Sequence, residues 1–149
     1  MGQSRQRDKA REMKKFLVDT SALYPLILKL RHKVAEIAEI LRILDLTLYE
    51  VGNVIWKEYK LGRIRDLDGV VSMFSEVLSW IKIDEIELKD LKEITKLAVS
   101  RGVTFYDASY IYIAEKRGYK LVTLDSDVLE KCTCAVTPEQ MLRELRVEK

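Results

Sequence analysis

Two short apolar runs in this chain each end in an aspartate and are followed by residues that start helices. Residues 15–18 lead into Asp19, and residues 120–124 lead into Asp125. Apolar runs of this length, bounded by helix-start signals, are typical of buried strands. Longer segments with apolar residues three and four apart separate them and predict amphipathic helices. Short strands that alternate with longer helices favour an α/β fold, with a short central parallel β-sheet flanked by helices on both sides.

The remaining elements are predicted by the same periodicity and by capping residues. Helices are expected from Thr20 onward and over 33–40, 47–61, 66–80, 87–100, 104–117 and from 137 onward, with further strands over 81–83 and 134–136. A length of 149 residues corresponds to one domain. The first fifteen residues hold six basic and two acidic side chains. We therefore expect a basic N-terminal tail over 1–12 and a single domain over 13–149.

Composition excludes several classes of function. Twenty-six basic and 24 acidic residues give a net charge of +2, too small to indicate nucleic-acid binding by itself. The single histidine, His32, lies about a hundred residues from the Cys132-x-Cys134 pair, so neither a four-ligand zinc site nor histidine-based catalysis is favoured. No apolar run approaches the ~20 residues of a membrane span. We expect a cytoplasmic protein that does not enter a membrane.

Four acidic residues stand at positions where side chains of an α/β fold meet. Asp19 and Asp125 end strands, and Glu50 and Asp107 lie near two helix starts, each three residues after a threonine. Taken singly, each acid has a structural interpretation, because Thr-x-x-Glu is a capping box and aspartate caps helices. Taken together, packing of the two strands would crowd the carboxylates, which repel unless a cation neutralises them. Oxygen ligands favour Mg²⁺ or Mn²⁺ over zinc.

Four segments, in this order and spacing, resemble a PIN domain. They are FLVDTSAL at 16–23, LYEVGNV at 48–54, TFYDASY at 104–110 and LVTLDSD at 121–127. The resemblance covers about residues 13–145. Within the family, the chain is most similar to the toxins of VapBC-type toxin–antitoxin pairs. The resemblance implies a metal-dependent endoribonuclease that leaves 5′-phosphate and 3′-hydroxyl ends.

The resemblance also assigns roles to the acidic residues. It implies that Asp19, Glu50, Asp107 and Asp125 are the catalytic residues and bind Mg²⁺ or Mn²⁺. Asp127 matches an auxiliary carboxylate that some members use as a further metal ligand, and a stabilising charge at a helix start is its alternative interpretation. A bound metal ion lowers the pKa of water and screens the charge of the phosphate.

Four polar residues are expected to support the acids. Thr20 or Ser21 matches the small hydroxyl position that the family places beside the first acid. Thr123 matches the Thr or Ser that lies two residues before the fourth acid and positions its loop. Asn53 lies one helical turn after the glutamate and is expected to orient the pocket or to contact the substrate.

Contacts to RNA require positive charge or aromatic surface near the acids. Lys57 lies seven residues after the glutamate and therefore on the same helix face. Lys29 and Arg31 lie on a neighbouring predicted helix. Tyr110 lies one turn after Asp107 and is a candidate for stacking on a base, with burial in the core as the alternative.

The resemblance implies three partners: an RNA substrate, a small VapB-like antitoxin and a second copy of the chain in a homodimer. Two alternatives stay within the family, namely a PIN nuclease of rRNA maturation or other RNA processing and a catalytically inactive PIN scaffold. A third is a phosphotransfer enzyme with Asp19 as its nucleophile. It is ranked last, because Ser21 stands where such enzymes have a second aspartate.

Overall fold

The computed structural model describes residues 14–145 and contains one sheet of five parallel strands. The strands are β1 (Phe16–Val18), β2 (Leu41–Leu44), β3 (Lys82–Asp84), β4 (Lys120–Val122) and β5 (Ala135–Val136). Their order across the sheet is β3-β2-β1-β4-β5. The first strand in the chain is therefore the central one.

Seven α-helices connect or follow the strands in the described part of the chain. They are α1 (Thr20–Leu30), α2 (Asp45–Lys60), α3 (Leu67–Ser79), α4 (Leu91–Arg101), α5 (Phe105–Arg117), α6 (Ser126–Lys131) and α7 (Pro138–Leu145). Short 3₁₀ helices cover Arg31–Glu36, Ala38–Ile40 and Leu88–Asp90. None of the helices within residues 14–145 is both long and apolar enough to cross a membrane.

The helices pack on both faces of the sheet, as the sequence predicts. Side chains of β1 alternate between the faces. Phe16 and Val18 pack with α1, α2, α3 and α7, whereas Leu17 packs with α5 and α6, and α4 lies against α5. All three β1 side chains are fully buried. A strand covered on both sides reads as a continuous apolar run, which is why β1 was recognisable in the sequence.

The strand order creates a crevice at the carboxyl ends of β1 and β4. From β1 the chain builds β2 and β3 on one side, and it later returns to form β4 on the other side. Val18 is in register with Val122, and the Asp19 amide donates to the Val122 carbonyl at 3.0 Å. Ligands of open parallel sheets bind at such a change of direction. The residues that follow β1 and β4 therefore line the most favourable place for a site.

One sequence prediction is wrong in this part of the chain. Residues 33–40 were expected to form an α-helix, but they form two 3₁₀ segments that lead into β2, a strand that was not predicted. No glycine or proline separates residues 33–40 from β2, so the sequence pattern of β2 continues that of the predicted helix. The tail over 1–12 lies outside the described residues, and the domain boundary at 13 stays a prediction.

Candidate active site

Asp19 follows β1 directly and caps the helix after it. Its Oδ1 accepts hydrogen bonds from the Ala22 amide at 3.1 Å and from the Ser21 hydroxyl at 2.6 Å. The side chain is buried, and burial raises its pKa above the ordinary value of an aspartate, while the hydrogen bonds oppose that shift. The capping interpretation of this residue is thus confirmed, and the cap also holds the carboxylate at the carboxyl end of the central strand.

Ser21 joins the loop after β1 to the loop after β4. Its Oγ accepts a hydrogen bond from the Leu124 amide at 3.0 Å and lies 3.3 Å from the Thr123 hydroxyl oxygen. Thr123 is fully buried, and its Oγ1 accepts from the Asp125 amide at 3.0 Å. These bonds fix the distance between the two loops, so Asp19 and Asp125 are held beside the same crevice.

Asp125 caps α6 and brings a further acid with it. Its Oδ1 accepts from the amides of Asp127, at 2.9 Å, and Val128, at 3.4 Å. The Asp125 side chain is half-buried, whereas Asp127 is exposed in the first turn of α6. An aspartate at each of these positions also interacts favourably with the partial positive charge of the helix start.

Glu50 is not part of a capping box, in contrast to its structural interpretation from the sequence. Helix α2 begins at Asp45, two residues before the predicted start. Thr47 therefore lies inside the first turn, where its Oγ1 accepts a hydrogen bond from the Leu44 amide at 3.1 Å. Glu50 lies in the second turn, beyond reach of the free amides at the helix start. Its position at the crevice thus calls for another explanation.

Two hydroxyl groups hold one oxygen of Glu50. Thr20 donates to Oε1 at 3.0 Å, and Tyr110 donates to the same oxygen at 2.7 Å. The Tyr110 hydroxyl also lies 2.7 Å from Thr47 Oγ1, and burial raises its pKa, so it stays protonated and donates. Residues from α1, α2 and α5 therefore fix the glutamate.

Asp107 completes the cluster from the other helical layer. The Thr104 hydroxyl oxygen caps α5 by accepting from the Asp107 amide at 3.1 Å. Burial raises the pKa of the Asp107 carboxyl, and Asp125, Glu50 and Asp127 raise it further by like-charge repulsion. Asp107 in turn raises the pKa of Asp19. Together with the hydrogen bonds of Ser21 between the two loops and of Thr20 to Glu50, this repulsion indicates that the carboxylates lie around the same crevice.

The cluster is open, and its chemistry suits a hard cation. Within residues 14–145, no three Asp, Glu, His or Cys side chains converge closely enough to form a ready-made metal site. The side chains that surround the crevice are carboxylates and hydroxyls, with neither thiol nor imidazole among them. Such a donor set fits Mg²⁺ or Mn²⁺, which accept oxygen ligands and retain several waters.

The structure does not bring all predicted RNA contacts to the cluster. Asn53 and Lys57 are exposed on α2, one and two turns beyond Glu50. Lys29 lies in the last turn of α1 and Arg31 directly follows this helix, which is roughly 16 Å long at 1.5 Å per residue.

The position of Tyr110 contradicts one of the two interpretations of this residue from the sequence. It is 97% buried with its hydroxyl on Glu50, so it is not available to stack on a base, and the alternative of burial is confirmed. Sequence reasoning missed the contact between this hydroxyl and the glutamate. The available signal was the spacing of three residues from Asp107, which places both side chains on one helix face.

Comparison with known proteins gives consistent matches over most of the chain. The family model of the PIN domain matches residues 16–132. The chain is similar to Exonuclease VapC9 of Pyrobaculum aerophilum, with 43% identity over 137 residues that make up 89% of this chain and 97% of the relative. It is also similar to Ribonuclease VapC3 of the same organism, with 37% identity over 131 residues, or 83% and 99% of the two chains. The crystal structure of PAE2754 from Pyrobaculum aerophilum superposes with a TM-score of 0.82 and 43% identity, covering 91% of this chain and 92% of the other.

Proposed function

We propose that this chain, which belongs to the PIN domain family, is a divalent-metal-dependent ribonuclease and the toxin of a VapBC-type toxin–antitoxin pair. The observation that carries the proposal is that Asp19, Glu50, Asp107 and Asp125, from four separate elements, lie around the crevice at the carboxyl ends of β1 and β4. The names of the two relatives, Exonuclease VapC9 and Ribonuclease VapC3, support a nuclease of the VapC type.

The same four acids, with Asp127 as an auxiliary ligand, would hold the ion. When bound, Mg²⁺ or Mn²⁺ supplies positive charge that offsets the carboxylates and the phosphate, and it makes water a better nucleophile at neutral pH. The repulsion that raises the pKa of Asp107 is the electrostatic basis for attracting such an ion. A cluster of this charge is also a poor site for phosphate alone.

The other residues of the crevice keep the carboxylates in place. Ser21 holds Asp19, while Thr20 and Tyr110 hold Glu50 through a single oxygen, Oε1. Two backbone amides of α6 hold Asp125. Because these bonds exist before substrate arrives, the carboxylates need little rearrangement during the reaction, which is the main requirement for electrostatic catalysis.

The decisive experiment measures cleavage of a labelled single-stranded RNA by the parent chain and by Asp19→Asn, in Mg²⁺, Mn²⁺ and EDTA. Asparagine caps helices as well as aspartate does, so the variant is expected to fold. Asp68→Asn, at an exposed aspartate in the first turn of α3, is the matched control. We expect metal-dependent cleavage by the parent and the control and at least a hundredfold loss in Asp19→Asn, the size typical of losing a catalytic group. Equal cleavage by parallel preparations of parent and Asp19→Asn would contradict the proposal.

The position of the cut distinguishes two kinds of nuclease. One relative is named an exonuclease and the other a ribonuclease. We propose endonucleolytic cleavage that leaves 5′-phosphate and 3′-hydroxyl ends. A circular RNA has no end, so its cleavage requires internal cutting. Digestion of the linear but not of the circular form would contradict this part of the proposal and indicate an exonuclease.

An apolar cleft between α2 and α3 supports a protein partner. It has a volume of about 400 Å³ and is lined by Phe74 and by Leu48, Val71 and Ile83, whose side chains are partly exposed. Exposed apolar surface of this kind marks binding sites. We propose that a small VapB-like antitoxin binds here and that the chain alone is a homodimer.

Two measurements test these partners. Coexpression with the product of a small neighbouring gene should yield an inactive complex, and Val71→Asp should break that complex without reducing cleavage by the free chain. Failure of Val71→Asp to weaken the complex would place the antitoxin elsewhere. Light scattering after gel filtration should give twice the mass of one chain, and a monomer mass would contradict the dimer.

A further inference from the structure

A second cleft opens beside the carboxylates and is not used by the chemistry described so far. It has a volume of about 370 Å³ and is lined by Thr20, Tyr49, Glu50, Asn53 and Tyr106, together with apolar side chains of α2. Glu50 belongs to both the cleft and the acidic cluster. Anything bound in the cleft is therefore held next to the reacting groups.

Two exposed tyrosines flank this cleft. Tyr49 is 78% exposed and Tyr106 is 59% exposed, although tyrosine rings in folded proteins are usually well covered. Each directly precedes an acid of the cluster, Glu50 on α2 and Asp107 on α5. The two rings are thus positioned from two helices at the edge of the site, and neither takes part in the core.

The charge of the cleft indicates which part of an RNA fits it. Its lining within the described residues contains a carboxylate and an amide but neither lysine nor arginine. A phosphate group would be repelled by Glu50, whereas a neutral base would not. Aromatic rings stack on bases of every type, and the carboxamide of Asn53 offers both a donor and an acceptor to the edge of a base.

We propose that this cleft binds one unpaired nucleobase of the RNA, adjacent to the phosphate that is cleaved, with Tyr49 and Tyr106 stacking on the base and Asn53 contacting its edge. The inference rests on the proposed ribonuclease function and adds to it a binding site for one base beside the reacting groups. Bases inside a duplex have both faces covered and cannot enter such a cleft.

The test measures binding of dye-labelled eight-nucleotide homopolymers of A, C, G and U by fluorescence anisotropy. All proteins are full-length chains that carry Asp19→Asn, so that substrate survives in Mg²⁺. Tyr49→Ala and Tyr106→Ala should each weaken binding about 5- to 150-fold, the range expected for one lost stacking partner. Tyr49→Phe keeps the ring and should bind like the parent. Asn53→Ala should change the ranking of the four homopolymers.

Tyr59→Ala is the matched control, because Tyr59 is also on α2 and 48% exposed but does not line the cleft. The proposal is overturned if Tyr49→Ala and Tyr106→Ala bind like the parent, if Tyr59→Ala weakens binding as much as they do, or if the parent binds no homopolymer. RNA binding that depends on both tyrosines, combined with no cleavage by the chain in which Asp19 is intact, would support the cleft while contradicting the nuclease. Cleavage by the chain in which Asp19 is intact, combined with unaltered binding by Tyr49→Ala and Tyr106→Ala, would support the nuclease while contradicting the cleft.

Discussion

The hydroxyl of Tyr110 is expected to stabilise both the fold and the position of Glu50. It makes two short contacts of 2.7 Å, one to Glu50 Oε1 and one to the fully buried Thr47 Oγ1. A hydrogen bond to a charged group contributes about 1.5–3 kcal/mol, and a buried polar group left unpaired costs about 1–3 kcal/mol. Glu50 is half-buried and can recover part of its loss by binding water. We therefore expect Tyr110→Phe to lower the free energy of unfolding by about 2–3 kcal/mol.

Urea denaturation measures this loss, and cleavage of single-stranded RNA measures the effect on the site. Tyr112→Phe is the matched control, because Tyr112 is on the same helix and its hydroxyl donates to Asp90, at 3.0 Å, instead of to an acid of the cluster. Asp90 also accepts from Lys116 and from the Glu87 amide, so we expect a loss of about 1 kcal/mol there and unchanged cleavage. Tyr110→Phe should reduce cleavage as well as stability.

A double-mutant cycle with Thr47→Val separates the two contacts of the tyrosine. In the Thr47→Val background, Tyr110→Phe should cost about 1 kcal/mol less than in the parent, because no buried threonine O–H is then left without an acceptor. The reasoning is refuted if the free energy of unfolding of Tyr110→Phe lies within about 0.5 kcal/mol of the parent value, the range of an ordinary surface substitution. It is also refuted if the cycle gives no coupling.

Three further predictions concern the acids and the cysteines. Asp107→Asn should raise the melting temperature in EDTA at pH 7. The raised pKa of Asp107 means that the folded state binds the proton of this carboxyl more tightly than the unfolded state does, so the charged carboxylate destabilises the fold at pH 7. The gain in melting temperature should vanish below about pH 4, where the carboxyl is protonated in both states. A gain that persists at pH 3 would contradict this reasoning. Asp125→Asn and Asp125→Ala should both abolish cleavage. Only the alanine variant should lower the free energy of unfolding, by about 1 kcal/mol, because only alanine removes the cap of α6. Equal stability of the two variants would argue against the cap. The sulfurs of Cys132 and Cys134 lie 2.9 Å apart, and the hydrogen bond between them lowers the pKa of Cys134. Alkylation of Cys134 should therefore reach half its maximal rate below pH ~8.5, and Cys132→Ala should raise that midpoint. An unshifted midpoint would count against the thiol–thiol bond.

The parts of the site that local sequence determines were predictable. Asp19 and Asp125 follow strands that are apolar over their whole length, and adjacent parallel strands end at one edge of a sheet. Membership of the family then added Glu50 and Asp107, whose alternatives as capping residues the sequence alone left open.

The parts that depend on distant contacts were not predictable in this way. Asp45 and Thr47 are both residues that start helices, and only the structure shows that α2 begins at the first of them. Strand β2 is defined by pairing with β1 and β3 and has no turn signal of its own. The contact of Tyr110 with Glu50 spans 60 residues, so no local pattern reveals that this glutamate is the partner of the tyrosine hydroxyl.

The central position of β1 has a consequence for the order in which the site is assembled during translation. Asp19 is among the first residues of the domain to be synthesised, but its strand lacks one neighbour until β4 has been made, about a hundred residues later. Asp125 follows β4, so a chain still growing on the ribosome has no complete set of carboxylates. The enzyme proposed here would attack RNA, and the ribosome is largely RNA. With the roles proposed for the acids, activity is expected only after residue 125 has left the ribosome and β4 has paired with the strand that was made first.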